Sequence, residues 1–212
     1  IQGQSLGIDV DVFTDDGKST LDGEKGELVV KQPFPSMPIK FWGDDDNNKY
    51  HKAYFTRFKN IWHHGDYIER TSNNGFIMRG RSDATLNPGG VRIGTSEIYQ
   101  QVEDIDFITE GLVVGQDFKD DVRIILFVTT KNNQELNEDQ IKIIKSKIRK
   151  NCSPKHVPSI VIKAPEIPRT KSGKIVELAV RNIINGETIN NKEAISNPES
   201  LKFFENLTQL KN

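Results

Sequence analysis

The sequence predicts an α+β protein in two parts: a β-rich, barrel-like segment that reads as the closing part of a large domain, then a small α+β domain whose short antiparallel or mixed sheet is flanked by helices. Three observations lead there. Residues 8–13 alternate apolar and acidic side chains with period two, and a second pair of strand-like runs meets at Asn74-Gly75. From residue 95 onward the pattern reads helix, strand, strand, helix, strand, helix, an order that covers a short sheet with helices. Between the halves lies Gly80–Glu97, with glycines at 80, 89, 90 and 94, two arginines and a lone aspartate. That is more backbone freedom than a connector needs, and it predicts a hinge that also touches ligand.

In the first half, Asp15-Asp16-Gly17-Lys18 supplies turn chemistry between residues 8–13 and a strand resuming at Gly26-Glu27-Leu28-Val29-Val30. Pro33, Pro35 and Pro38 exclude helix and central strand, so this stretch is an extended loop closed by Phe41 and Trp42. Asp44-Asp45-Asp46 caps a helix running through Tyr54 and Phe58, whose spacing of four suits one buried face; a metal site at this run is the less favoured reading. Residues 61–79 form a strand, turn and strand leading into the hinge. Asp66 follows Gly65, where backbone approaches closely, and its carboxylate either accepts two hydroxyl hydrogen bonds, as ribose recognition requires, or serves the turn. His63 and His64 point to opposite faces of a strand and make a poor metal pair.

In the second half, Thr95-Ser96-Glu97 opens a helix over about 95–103. Ile108–Gly115 and Val122–Thr130 pair as a hairpin around the polar 116–121, and Asn137-Glu138-Asp139-Gln140 starts a helix with Ile141, Ile144 and Ile148 on one face and Lys142, Lys145, Lys147 and Arg149 outside. Ser159–Ile162 is a third strand, and Ile175–Asn185 a last helix closed by Gly186. Leu201, Phe203, Phe204 and Leu207 dock a polar tail.

Composition bounds the function. The 212 residues allow one large or two small domains. A net charge of −1, with 28% charged residues, gives no general field that attracts nucleic acid or membrane, so any anion is held locally. A single cysteine, Cys152, excludes an internal disulfide, gives no metal spacing and reads as a small apolar filler. No apolar run approaches the roughly 18 residues of a membrane span, and the expected location is cytoplasmic. The chain begins at Ile1, without methionine, directly into strand-like sequence, which predicts a piece of a longer protein.

Pro168-Arg169-Thr170-Lys171-Ser172-Gly173-Lys174 stands before the last helix, where N–H groups and the helix dipole favour an anion; by itself a basic loop of this kind is as readily a solvated surface loop. It is no P-loop, because the glycine that starts that motif is absent. Together with Trp62-His63-His64-Gly65-Asp66, Gly80-Arg81-Ser82-Asp83, Gly90-Val91-Arg92-Ile93 and Glu97-Ile98, this loop resembles the late motifs of the adenylate-forming enzymes: acyl-CoA synthetases, nonribosomal-peptide adenylation domains and luciferases. The order and spacing of the motifs are specific where each alone is not. Pro33-Phe34-Pro35-Ser36-Met37-Pro38, the run Ala84–Gly90 and Lys174–Val180 narrow the resemblance toward the CoA ligases and away from carrier-protein-dependent adenylation domains.

The resemblance implies a two-step reaction using ATP, CoA and Mg2+, in which a carboxylate is adenylated and the C-terminal lid then rotates for transfer to the CoA thiol. It implies that residues 1–81 end the large N-terminal domain and 82–212 form the lid. By the same resemblance Lys174 is the adenylation lysine, Asp66 and Arg81 hold the ribose hydroxyls and Asp83 is the hinge. Gly90 leaves room for the pantetheine path, Arg92 enters the site in the thioester arrangement, and Arg149 meets the CoA phosphates. The family's Ser/Thr/Gly-rich phosphate loop, most of its acyl pocket and its magnesium-associated glutamate are not in this sequence, so the chain alone is expected not to adenylate. A non-catalytic binding module built on the lid is the alternative of a different class. No aromatic stacking series accompanies the basic residues, which disfavours nucleic acid.

Overall fold

A computed structural model describes residues 1, 3–189 and 192–211. The chain divides into two compact units, Ile1–Asp83 and Ala84–Asn212.

The first unit is a four-stranded antiparallel sheet in the order β1-β2-β3-β4, with β1 Val10–Phe13, β2 Lys25–Val30, β3 Trp62–Arg70 and β4 Phe76–Arg81. Val12, Ile68 and Phe76 form its core. The acidic face of β1 is not wet, as simple alternation would have it: Asp11 is buried, accepting from Ser19 Oγ at 2.7 Å and Val12 N at 2.8 Å, with Lys31 Nζ at 3.2 Å. Burial pushes the Asp11 carboxyl up, but these hydrogen bonds and the Lys31 ammonium outweigh it and hold it below the usual carboxylate range.

Helix α1, Asn48–Tyr54, is capped as expected, the Asp44 carboxylate accepting from Lys49 N at 2.9 Å and Tyr50 N at 2.8 Å. It stops short of Phe58, however. Tyr54 instead stacks on Trp62 with ring centroids 3.6 Å apart, and Phe58 is buried against Phe13 from outside the helix. Aromatic stacking, rather than an i,i+4 stripe, fixes this segment. Phe41 packs on Tyr50 and Tyr54, whereas Trp42 is fully exposed and closes nothing.

In the second unit β5 Ile108–Phe118 and β6 Asp121–Thr130 are antiparallel, and β7 Ile160–Lys163 joins β6 in parallel. The polar residues 116–121, expected as a connecting loop, mostly belong to the ladder, leaving Lys119-Asp120 as the turn with Lys119 at φ 49°. The hairpin extends because the sheet is covered on both faces. Val113, Leu126 and Val128 pack with Ile98, Val102, Ile144 and Ile148 of α2 Thr95–Val102 and α3 Glu138–Asn151. Leu112, Val114, Ile125 and Phe127 face α4 Glu177–Ile184 and the tail. Such strands read as continuous apolar runs, and their ends carry no alternation to mark them.

Helix α3 has the expected capping box, Asn137 Oδ1 accepting from Gln140 N at 2.9 Å and Gln140 Oε1 from Asn137 N at 3.0 Å. At α2 the capping oxygen comes from Glu97, which accepts from Gly94 N at 3.0 Å. Helix α4 begins at Glu177, not Ile175, because Ile175 is bridged to Arg169; Gly186, at φ 72°, follows its end. The tail carries 3-10 turns at Lys192–Ala194, Pro198–Phe204 and Thr208–Leu210 and docks through Leu201, Phe204 and Leu210, with Phe204 edge-on to Phe127 at 4.9 Å.

Candidate functional site

In the first unit, pairing of β3 with β4 places Asp66 directly opposite Arg81. Gly65 sits at φ +85°, and a Cβ there would come within 3.0 Å of the Arg81 guanidinium, so the absence of a side chain is what admits the arginine. Arg81 Nη1 lies 3.6 Å from Asp66 Oδ1, and Nε and Nη2 lie 3.4 Å from the two Asp83 oxygens. Burial pulls the guanidinium pKa down, but Asp83 and then Asp66 outweigh it, so Arg81 is held more firmly protonated than an ordinary arginine. The Trp62 indole N–H donates to His64 Nδ1 at 3.2 Å, which turns Nε2 toward Asp66 Oδ2 at 3.5 Å. His64, Gly65, Arg81 and Asp83 line a cleft of about 750 Å³. Asp66, Arg81 and Asp83 therefore form one cluster: two carboxylates able to accept hydrogen bonds and a guanidinium able to donate them.

Beneath this cleft lies a group the motif reading missed. Glu27 is wholly buried, with His63 Nε2 at 2.8 Å from Oε2, Arg57 Nη2 at 3.2 Å from Oε1, and the Ser82 hydroxyl donating to Oε2. It fastens Ser82, the residue between Arg81 and Asp83, to β2. Alternation gave no signal for it: Val29 and Val30, on opposite faces of β2, are both buried, so period two does not say which way Glu27 points.

In the second unit the remaining expected residues stand on three separate elements. Gly90 and Arg92 belong to a loop pinched by paired backbone hydrogen bonds of 2.9 Å between Leu86 and Ile93. Gly89 and Gly90 have φ of 57° and 76°, and Asp121 Oδ1 accepts from Gly89 N at 2.8 Å. A Cβ on Gly90 would meet nothing within 4 Å among the described residues, and Gly90 borders a cleft of about 680 Å³ with Asp117–Val122. Arg92 is half-buried. Arg149 is exposed in the last turn of α3, where a cation also complements the helix dipole.

Lys174 ends a tight turn and is exposed. Thr170 N donates to Lys174 O at 2.8 Å, Gly173 N to Thr170 O at 2.8 Å and Lys174 N to Thr170 Oγ1 at 3.0 Å. The expected anion site of loop N–H groups and helix N-terminus is not what the structure builds. The N–H groups of Arg169, Thr170, Lys171, Gly173 and Lys174 all have acceptors within the protein. The first turn of α4 carries Glu177, whose carboxylate accepts from the buried Tyr99 hydroxyl at 2.5 Å. What the turn offers an anion is exposed ammonium groups, those of Lys171 and Lys174. Among the described residues no group of three or more His, Cys, Asp or Glu could hold a metal ion, and no helix is long and apolar enough to cross a membrane.

Comparison with known proteins places this arrangement. No family model matches the chain. A benzoate CoA ligase from Burkholderia xenovorans matches 83% of the chain with a TM-score of 0.70 at 25% identity, spanning 34% of that protein. Fold and motif order thus define an adenylate-forming acyl-CoA synthetase. Within that class, an acetoacetyl-CoA synthetase structure from Streptomyces lividans matches all of the chain with a TM-score of 0.91 at 39% identity and 32% of its own length. The acetoacetyl-CoA synthetase of Rhizobium meliloti is 56% identical over 211 residues, again all of this chain and 32% of the relative. The chain is a member of the acetoacetyl-CoA synthetase family, corresponding to its C-terminal portion, and it spans about a third of the length of these relatives.

Proposed function

We propose that the full-length protein is a cytoplasmic acetoacetate:CoA ligase, converting acetoacetate, ATP and CoA to acetoacetyl-CoA, AMP and diphosphate. The observation that supports this most is 56% identity to an acetoacetyl-CoA synthetase over the whole chain, with Asp66, Arg81 and Asp83 gathered in one cluster. In the first half-reaction an acetoacetate oxygen attacks the α-phosphorus and diphosphate leaves. The Lys174 ammonium bridges the carboxylate and the α-phosphate as charge develops there. Asp66 accepts from the ribose hydroxyls and Arg81 donates to the nucleotide. In the second, the CoA thiolate attacks the acyl carbon and AMP leaves. Gly90 leaves the pantetheine path open, Arg92 enters in this arrangement, Arg149 meets the CoA phosphates, and Asp83 is the position whose φ and ψ change between the two steps. Among the described residues no cluster of three or more carboxylate, imidazole or thiolate donors could hold Mg2+ by itself.

The test is pyrophosphate exchange by the full-length enzyme with acetoacetate, acetate and propionate. Exchange fastest with acetoacetate supports the reading; preference for acetate or propionate makes it a short-chain acyl-CoA synthetase of other specificity. Lys174→Ala should lower acetoacetate-dependent exchange roughly 10²–10³-fold while sparing thioester formation from supplied adenylate. Asp83→Pro should do the reverse. The chain described here, tested by calorimetry, should show no appreciable ATP binding.

A further inference from the structure

The turn that carries Lys174 is shaped from outside itself. Arg169 Nη1 donates to Gly173 O at 2.5 Å, and its Nη2 donates to Glu110 Oε1 of β5, also at 2.5 Å. The same residue's backbone is gripped by the tail: Arg169 N donates to Asn197 Oδ1 at 2.8 Å, while Ser196 N and Oγ donate to Arg169 O at 2.8 and 3.0 Å. Asn197 Nδ2 reaches Ile167 O at 3.1 Å, Lys171 N donates to Ala194 O at 3.0 Å, and Thr170 is bridged to Ile195, which is buried in the core. One arm of the turn is thus a strand laid against residues 194–197, and the other is tied by a forked guanidinium to the sheet.

We infer that Arg169, Glu110 and Asn197 are positioning residues for Lys174, and that the tail segment Ala194–Asn197 is a clasp that sets where the lysine's stem begins. The inference rests on the proposed role of Lys174. Its physical reason is geometric. The Lys174 side chain is exposed and, among the described residues, makes no side-chain hydrogen bond or ion pair, so the direction of its flexible stem is set by the backbone of the turn. Arg169 suits the task because a planar fork satisfies two acceptors in fixed directions, which an ammonium does not. The two ties are redundant in place but not in kind. Asn197 fixes the entry to the turn, and the guanidinium fixes its far side at Gly173.

The experiment compares Asn197→Ala, Arg169→Ala and Arg169→Lys in the full-length enzyme, following acetoacetate-dependent pyrophosphate exchange, thioester formation from supplied acetoacetyl-adenylate, and the melting midpoint. Displacement of the lysine by about an ångström should lower exchange roughly 10- to 100-fold and leave the thioester step essentially unchanged. Arg169→Lys retains a charge opposite Glu110 but loses the fork, and it provides a milder variant should Arg169→Ala fold poorly. Each change is also made on a Lys174→Ala background, where a group acting through the lysine has nothing further to lose. Parallel loss of both half-reactions, unchanged exchange, or an added loss of exchange on the Lys174→Ala background would overturn the inference and leave the clasp a structural support. If Lys174→Ala itself retained full exchange, the proposed role of Lys174 would fall first, and the clasp with it. Loss in Lys174→Ala but not in the clasp variants strikes only the clasp.

Discussion

The Arg81 cluster and the Lys174 turn are held by opposite means. At Arg81 the side chains hold one another: the guanidinium lies between Asp66 and Asp83, and His64 flanks Asp66. At Lys174 the backbone is held from Arg169 onward by donors and acceptors on β5 and the tail, while the ammonium is exposed. The difference teaches what each group is suited to. Hydroxyl recognition favours a polar surface whose lone pairs and protons are already oriented. An ammonium that meets charge during a reaction needs an accurate origin and a free end.

Four changes sharpen that contrast, the largest first. Glu27→Ala strands His63, Arg57 and Ser82 around an emptied site in the first unit and should destabilise it by about 3 kcal/mol, measured by denaturant unfolding. No loss of stability would mean that the cleft above Glu27 does not depend on it. Arg81→Lys keeps the charge but not the fork between two carboxylates, and should raise the KM for ATP of the full-length enzyme by about tenfold, one bidentate contact's worth. A smaller effect comes from Asp11. Its folded pKa lies below the ordinary value of about 3.9, so its contribution is fully present above that pH and is lost as pH falls through the folded pKa. Melting scans from pH 5 downward should show Asp11→Asn losing less stability to acid than the wild type. The smallest effect is at Lys174, where Lys174→Ala should move stability by no more than about 0.5 kcal/mol despite its expected effect on exchange. A large shift there would erase the distinction between the two places.

Much of the fold was legible where local chemistry and pattern agree. The β3–β4 hairpin followed from its Asn-Gly turn, and α3 from Asn137 and Gln140 with an isoleucine stripe behind them. The ends of β5 and β6 were not legible, because a sheet buried on both faces shows no alternation and polar Gln116 could have been loop. Gln116 is in fact buried, donating to Leu210 O at 3.2 Å while Arg123 donates to it at 2.8 Å. Helix α1 was overextended because an i,i+4 pair of aromatics looks the same whether both ride one helix or one of them stacks elsewhere. At the candidate site, neither the pairing of Asp66 with Arg81, which depends on a bulge between Tyr67 and Ile68, nor the grip on Lys174 was legible.

By itself, then, the sequence determined the turns, the capped helices and the order of motifs that assigns the family, since each depends on residues a few positions apart. Only the tertiary structure decided that Ser82 is fastened to Glu27, 55 residues away, that Arg169 reaches Glu110 across 59, and that Asn197 holds Arg169 across 28. Hydrogen bonds and ion pairs between such distant positions leave no period in the chain. They exist because the fold brings β2 beside Ser82 and lays the tail against the lysine turn.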